Sequence, residues 1–146
     1  AVCISSLLRE ADLSEVRASA EGDLQDILIE AVRRSAGLCW SVYRGGEILM
    51  LMGTAPINMA AGIGSPWLLG TAAADRVPKA LHRIAKEKIA ESRQQFPHLV
   101  NYVDVRNRRS ARWLERLGFT LHPPEPYGPY GLPFHRFEMS ADHVHS

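Results

Sequence analysis

Apolar residues recur at helical spacing in four segments of the chain, and each segment predicts an amphipathic helix. In the longest of them most charged side chains fall on the faces away from one apolar stripe, which consists of Leu81, Ile84, Ala85, Ile89 and Phe96. Pro78 fits the first turn of this helix, where a missing N–H costs little, and Pro97 marks its end. The predicted helices cover residues 7–20, 24–34, 75–96 and 108–117.

Short runs of alternating or continuous apolar residues lie between these helices and predict strands. Residues 38–43 alternate, Arg44-Gly45-Gly46 predicts a turn, and residues 47–54 run back as the second arm of a hairpin. Strands joined by single crossover helices are typical of an α/β sheet of mixed direction. The predicted strands cover residues 38–43, 47–54, 66–71, 99–105, 119–121 and 134–139, with irregular connections at 55–64 and 123–133.

Length and composition limit the class of protein. The chain has 146 residues, of which 46% are hydrophobic and 23% charged, which predicts one domain over residues 1–140 and a disordered tail at 141–146. No apolar run approaches the roughly 18 residues of a membrane helix. Two cysteines, Cys3 and Cys39, are too few for a disulfide framework and favour a reducing, cytoplasmic setting. The histidines lack the spacing of metal ligands, so no metal site is predicted.

The formal net charge of +1 hides two segments of opposite sign. Residues 1–66 hold five basic and eight acidic side chains, whereas residues 76–116 hold eleven basic and four acidic ones. The first segment therefore carries −3 and the second +7. A basic excess of this kind can face a phosphate or an acidic partner, or it can be the solvated surface of two helices. Because no groove-reading motif or basic tail accompanies it, a nucleic-acid partner is not predicted.

The segment from Asn107 to Phe119 carries the most specific pattern in the chain. It reads N-R-R-S-A-R-W-L-E-R-L-G-F, with Asn107 as helix cap, Ser110 three residues later and Gly118 as the C-terminal stop. It resembles the N-x-x-[AS] … G-F signature of the GNAT superfamily of acyl-CoA N-acyltransferases, and the order of elements over residues 7–140 agrees. The resemblance implies an α/β fold with a mixed, mostly antiparallel sheet and flanking helices.

A narrower resemblance covers the same span. W-L-L-G-T at 67–71, N-Y-V-D-V-R-N from residue 101, P-Y-G at 126–128 and residues 134–137 are similar to a family of GNAT-like proteins of short-tailed phages. That family includes internal virion proteins and domains of unknown function. The resemblance implies phage or prophage origin in a bacterial host and phage structural proteins as partners.

The wider resemblance implies acetyl-CoA as a ligand. In that family the fourth and fifth strands separate, and the pantetheine arm pairs with the backbone of the fourth, here residues 68–71. The pyrophosphate normally lies on a glycine-rich turn at the next helix N-terminus, but residues 71–81 contain no glycine and include Asp75. Basic side chains can replace that turn as point charges. The predicted cofactor-binding residues are Leu69, Gly70, Thr71, Arg76, Lys79, Asn107 and Ser110.

No catalytic residue is assigned from the sequence. Many family members protonate the departing thiolate with a tyrosine seven residues after the asparagine, and here that position is Leu114. No acidic residue lies between Glu47 and Asp75, so the middle strands offer no general base. Tyr127 and Tyr130, in the Pro/Gly-rich loop, are candidate substitutes for the missing tyrosine.

Two functions therefore remain open. In the first, the protein is an acetyl-CoA-dependent N-acetyltransferase acting on a small-molecule or protein amine. In the second, it is a non-catalytic assembly protein that uses the same fold for contacts with phage structural proteins. Residues 1–6 are too short for the strand that usually opens this fold, so the sequence also predicts an exposed sheet edge through which a homo-oligomer can form.

Overall fold

The computed structural model describes residues 10–35 and 37–140. Within these residues lie four α-helices and one 3-10 helix: α1 (Glu10–Ser19), α2 (Leu24–Arg34), the 3-10 helix (Ala72–Arg76), α3 (Pro78–Gln95) and α4 (Arg108–Leu117). The strands are β1 (Cys39–Arg44), β2 (Glu47–Asn58), β3 (Ile63–Gly70), β4 (His98–Asp104), β5 (Thr120–Leu121), β6 (Glu125–Tyr127) and β7 (Leu132–Met139). The predictions for residues 1–6 and 141–146 lie outside the described residues.

The strands form one seven-stranded sheet in the order β1-β2-β3-β4-β7-β5, with β6 paired to β7. Every pair is antiparallel except β3 and β4, which are parallel and pair only at Ile63↔His98 and Gly64↔Leu99. Beyond these two pairs the strands separate. The predicted mixed, mostly antiparallel α/β sheet is confirmed, and so is the gap between two middle strands.

Two connections that were predicted to be irregular are strand in part. The ladder between β2 and β3 continues through Ala55↔Ser65 and Pro56↔Gly64 before the register shifts ahead of Asn58. In the second connection, residues 125–127 pair with residues 132–134 as a hairpin. The composition of both segments predicts loops, but pairing with a neighbouring strand satisfies their backbone N–H and C=O groups.

The longest helix begins three residues later than predicted. Residues Ala72–Arg76 form a separate 3-10 helix, and Val77 has φ −133° and ψ 55°. The residue before a proline is disfavoured in the α conformation, and Pro78 has no N–H with which to continue a helix through it. A separate helical turn therefore replaces the predicted first turn of α3.

Helices pack on both faces of the sheet. The predicted apolar stripe of α3 is buried except at Ile84, which is half-buried, and it shares clusters with residues from β2, β4, α4 and β7. On the other face, Leu28 of α2 packs against Leu69 of β3, whereas neighbouring Leu68 packs toward α3. Successive strand residues point to opposite faces. None of the described helices is long and apolar enough to cross a membrane.

Replacement of Gly64 by alanine is expected to destabilise the fold. A Cβ atom at this position would lie 2.8 Å from Phe96 Cγ and 2.8 Å from Thr54 Cγ2, and both side chains are buried. Overpacking of this kind lowers the free energy of unfolding by about 1–3 kcal/mol. Urea denaturation measures the change, with Ser41→Ala on the exposed surface of β1 as control. Equal midpoints for the two variants would contradict the close packing.

Candidate active site

Two cavities adjoin at the end of β3. One, of about 620 Å³, lies between α3 and α4 and is called the α3–α4 cavity. The other, of about 770 Å³, is lined largely by α1, α2 and β3 and is called the α1–α2 cavity. Both volumes are in the range of small-molecule sites. Residues that line both cavities mark their junction: Met50, Gly70, Ser110 and Trp113.

The α3–α4 cavity has an excess of positive charge. Lys79, Arg109 and Arg116 line it, and Asp75 is the acidic side chain among its described lining residues. An Nη atom of Arg109 lies 3.1 Å from Asp75 Oδ1, so this carboxylate is held in an ion pair. His82 accepts a hydrogen bond of 3.0 Å from the Trp113 indole, which links α3 and α4. The basic lining of the cavity fits an anionic ligand.

A buried carboxylate from α1 lies at the junction. Asp12 is 3% exposed, and its Oδ2 accepts a hydrogen bond of 2.7 Å from the backbone N–H of Gly70. Its Oδ1 accepts from Asn107 Nδ2 at 3.2 Å. Asp12 therefore connects the end of β3 to the start of α4, across the gap left by the separated strands.

A second carboxylate, Glu15, lies one helical turn further along α1. Its Oε1 accepts hydrogen bonds from the Asp104 N–H at 3.0 Å and from Asn107 Nδ2 at 3.3 Å. The pKa of Glu15 is raised to about 7, mainly by burial and also by the charges of Asp12 and Asp104, which together outweigh the lowering effect of the two hydrogen bonds. A carboxyl with this pKa exchanges a proton readily at neutral pH, as a general base must.

The charge of the neighbouring Asp104 is fixed by a different partner. Arg106 donates from Nε and Nη2 to its carboxylate, with the shortest distance 2.6 Å. Burial alone would raise the pKa of Asp104, but the hydrogen bonds and charge of Arg106 hold it below its usual range. Asp104 therefore remains ionised at neutral pH, and Glu15 is the carboxyl that titrates.

No protein-family model and no curated protein matches the sequence. The solved structures that match include ribosomal-protein-alanine N-acetyltransferase from Brucella melitensis, which is 16% identical with a TM-score of 0.62, over 82% of this chain and 79% of that chain. The Salmonella typhimurium protein yncA, crystallised with its cofactor acetyl-CoA, is 18% identical with a TM-score of 0.62, over 83% and 75% of the two chains. A mutant of spermidine N-acetyltransferase from Vibrio cholerae is 12% identical with a TM-score of 0.59, over 80% and 75%.

The chain has the GNAT fold. At these identities the likeness establishes architecture, and the site must be argued from this chain's own residues. The gap between β3 and β4 corresponds to the separated fourth and fifth strands expected for a GNAT protein, shifted by one in number because the described residues begin with α1. The α1–α2 cavity is lined by residues of both strands, and both cavities reach Gly70 at the end of β3.

The predicted cofactor-binding residues at the end of β3 occupy three different positions in the GNAT fold. Gly70 lies at the junction, and its N–H is taken by Asp12. Leu69 packs toward α2 and lines the α1–α2 cavity. Thr71 is not among the described lining residues of either cavity, because its hydroxyl donates to the Ile48 carbonyl at 2.8 Å and ties the end of β3 to β2.

The other predicted cofactor-binding residues divide into two that line a cavity and two that do not. Lys79 lines the α3–α4 cavity and Ser110 lines both cavities. Arg76 lies on the exposed surface 3.4 Å from Glu47, outside the described lining. Asn107 caps α4 as predicted, by accepting from the Ser110 N–H at 3.4 Å, and its amide group is directed at the α1 carboxylates.

Leu114, at the position of the family's tyrosine, is buried in the apolar core and lines the α1–α2 cavity. Tyr127 stacks on Tyr102 with ring centroids 3.9 Å apart and lines the α1–α2 cavity. Burial raises the pKa of Tyr127, so its phenol stays protonated at neutral pH. Tyr130 is 59% exposed and lies outside the described lining residues.

Sequence reasoning missed Glu15 and Asp12, and it gave no cofactor role to Arg109 or Arg116. One signal was present in α1: positions 12, 15 and 16 share a helix face, which therefore combines two carboxylates with Val16. Carboxylates on the apolar face of a helix are unusual, because an unpaired buried charge is costly.

Proposed function

We propose that this protein is an acetyl-CoA-dependent N-acetyltransferase that binds its cofactor in the α3–α4 cavity and its amine acceptor in the α1–α2 cavity. The observation that carries the proposal is the junction: Gly70 lines both cavities, and Glu15, with a pKa of about 7, lines the acceptor cavity. An anionic ligand and an amine that enter from opposite sides would meet beside a general base.

The residues of the α3–α4 cavity fit the cofactor by charge. Lys79, Arg109 and Arg116 would hold its phosphates as point charges, in place of the amides of the missing glycine turn. The ion pair between Arg109 and Asp75 neutralises the carboxylate that lies beside the proposed phosphate site. When bound, acetyl-CoA supplies an activated acetyl group. Its carbonyl would compete with Asp12 for the Gly70 N–H.

Within the chain, the proton-transfer role falls to Glu15. Both of its described hydrogen bonds reach Oε1, and no described residue donates to Oε2, which can accept a proton from the acceptor amine. Asn107 and the Asp104 N–H fix the orientation of the carboxyl. Asn107 is therefore a positioning residue, and Glu15 is the proposed catalytic residue.

Non-catalytic assembly in a phage particle is the second candidate. It is favoured by the occupied Gly70 N–H and by the 3-10 helix Ala72–Arg76, which replaces a glycine-rich phosphate turn. In this case the α3–α4 cavity would bind no cofactor. The phage or prophage origin, the cytoplasmic location and a homo-oligomer through the β1 edge remain predictions.

Calorimetric titration with acetyl-CoA, with desulfo-CoA as a second ligand, decides between the two functions. We expect binding in the micromolar range and a loss of at least about 10-fold in Lys79→Glu, since a reversed charge would face the phosphates. Lys86→Glu is the matched control, because Lys86 lies on the exposed face of the same helix and outside both cavities. Dissociation weaker than about 1 mM, roughly 4 kcal/mol of binding free energy, would overturn the enzyme proposal.

A further inference from the structure

The separation of β3 from β4 begins at a defined step of their parallel ladder. The His98 N–H donates to the Gly62 carbonyl at 3.1 Å, and the pairing ends after Gly64 of β3. The hydrogen bonds of a parallel ladder repeat every two residues along each strand. The gap therefore opens where the next bonds would join residue 66 of β3 to residues 100–102 of β4.

Pro66 removes the first of these bonds, which a backbone N–H at residue 66 would donate to the Val100 carbonyl. Proline has no backbone N–H, so this bond cannot form. On the other side of β3, Pro66 remains paired with Thr54 of β2. The proline thus ends the pairing with β4 and leaves the pairing with β2 intact, as is usual for a proline at the edge of a sheet.

The side-chain amide of Asn101 takes the place of the second bond. Its Nδ2 donates to the Pro66 carbonyl at 2.6 Å, and its Oδ1 accepts from the Tyr102 N–H at 2.8 Å. In a regular ladder that N–H would donate directly to that carbonyl, at about 2.9 Å. An amide group and two hydrogen bonds therefore lie where a regular ladder has one bond, and they hold the strands further apart.

The far end of the gap is occupied by the carboxylates of α1. Asp12 accepts from the Gly70 N–H at the end of β3, and Glu15 accepts from the Asp104 N–H at the end of β4. Each carboxylate thus follows a different strand. The distance between Gly70 and the proposed general base therefore depends on how far the two strands are held apart where the gap begins.

We infer that Asn101 is a positioning residue: its side-chain amide is a spacer that, together with Pro66, sets the width of the gap between β3 and β4. Its part in the reaction rests on the proposed acetyl transfer, because cofactor and acceptor would meet at Gly70, whereas the spacer itself is a property of the fold. Asn101 lines the α1–α2 cavity and acts through the two strands, without contact to the reacting atoms.

Nuclear magnetic resonance tests the spacer directly, because scalar coupling across a hydrogen bond identifies the carbonyl carbon that accepts the Tyr102 N–H. In the native chain we expect coupling to Asn101 Cγ. In Asn101→Ala the Tyr102 N–H can donate to the Pro66 carbonyl, so the coupling should move to Pro66 C′ as the ladder gains a bond. Coupling of the native N–H to any other carbon, or no coupling to Pro66 C′ in the variant, would overturn the spacer.

Calorimetric titration with acetyl-CoA measures the consequence for the site. Further pairing would draw the end of β4, and α4 with it, toward Gly70, and both Gly70 and Ser110 line the α3–α4 cavity. We therefore expect Asn101→Ala to weaken acetyl-CoA binding at least about 10-fold.

Ser92→Ala is the matched control. It breaks the buried hydrogen bond of 2.8 Å between the Ser92 and Thr54 hydroxyls, and Ser92 lies outside the described lining of both cavities. This variant should lose stability and keep native affinity. If Asn101→Ala does not fold, Asn101→Asp replaces it. The carboxylate can still accept from the Tyr102 N–H, but its second oxygen repels the Pro66 carbonyl, so binding should also weaken.

Two further results separate the spacer from the transferase. Native acetyl-CoA affinity in the Asn101 variants, or equal losses in Asn101→Ala and Ser92→Ala, would overturn the positioning role and retain the enzyme. A native chain that binds no acetyl-CoA but shows the expected couplings would overturn the transferase and retain the spacer.

Discussion

Glu15→Gln is expected to lower kcat for acetyl transfer by about 10²–10⁴-fold, the usual contribution of a general base. Glutamine keeps the size of the side chain, and its Oε1 can still accept from the Asp104 N–H and from Asn107. It cannot accept a proton from an amine. The geometry of the junction is therefore preserved while its proton acceptor is removed.

The same change is expected to stabilise the fold in mild alkali. A Glu15 pKa raised from 4.5 to about 7 means that the folded state binds more protons than the unfolded state between these values. The stabilisation that protonated Glu15 contributes is therefore present in full below pH 4.5, and it is lost as the pH rises through about 7. The loss is about 3 kcal/mol at most, from 1.36 kcal/mol per pKa unit, and Glu15→Gln avoids it.

Glu15→Gln is thus expected to lower kcat and to raise the free energy of unfolding in mild alkali. A residue with a purely structural role would not combine these two effects. In the native chain kcat should rise as Glu15 loses its proton near pH 7, and this limb of the profile should vanish in the variant. Urea denaturation at pH 5 and pH 8 measures the stability, with Glu87→Gln as control. A variant with native kcat, or with lower stability at pH 8, would refute the assignment.

Asn107→Asp is expected to cost about 3–5 kcal/mol of folding free energy at pH 8, the range for an uncompensated buried charge. Asn107 is 5% exposed, and its Nδ2 donates to both Asp12 and Glu15. A carboxylate there removes that donor and places a third negative charge against the other two. Its Oδ atoms can still accept from the Ser110 N–H, so the cap of α4 survives.

The matched control is Asn58→Asp. Asn58 is exposed and its Oδ1 accepts from the N–H three residues on, at 2.9 Å, as in the α4 cap, but it faces no carboxylate pair. Folding raises the pKa of a carboxyl that lies beside other carboxylates, so the stability lost in Asn107→Asp should become smaller as the pH falls. The free energy of unfolding of Asn58→Asp should stay close to that of the native chain at every pH. Unfolding midpoints at pH 5 and pH 8 decide this. Equal losses at the two pH values would contradict a charge-based role.

The local parts of the fold were predictable. Asn107 and Gly118 bound α4 as the sequence indicates, and the stripe of α3 is buried. The alternating residues of the first hairpin pair as expected, from Trp40↔Met52 to Arg44↔Glu47. Each of these features leaves a local signal in the sequence, as a cap, a turn or a periodic spacing of apolar residues, so composition and spacing contain the information.

The strand continuation at 55–58 and the hairpin strand at 125–127 were not predictable, because a neighbouring strand supplies their hydrogen bonds. The candidate site depends even more on distant residues. Asp12 accepts a hydrogen bond from Gly70 and Glu15 accepts one from Asp104, and no residue near either carboxylate in the sequence predicts these partners. A pKa raised by burial exists only once other elements have covered the group.

The sequence by itself determined the class of fold, the capped helix from Asn107 and the division into an acidic and a basic segment, because spacing, capping and charge are local properties. Tertiary structure decided which backbone N–H groups Asp12 and Glu15 occupy, which basic residues line a cavity, and that the two charged segments face one junction. Those features need residues far apart in the chain to be held together at hydrogen-bond distance. Only the packed sheet and its helices provide that.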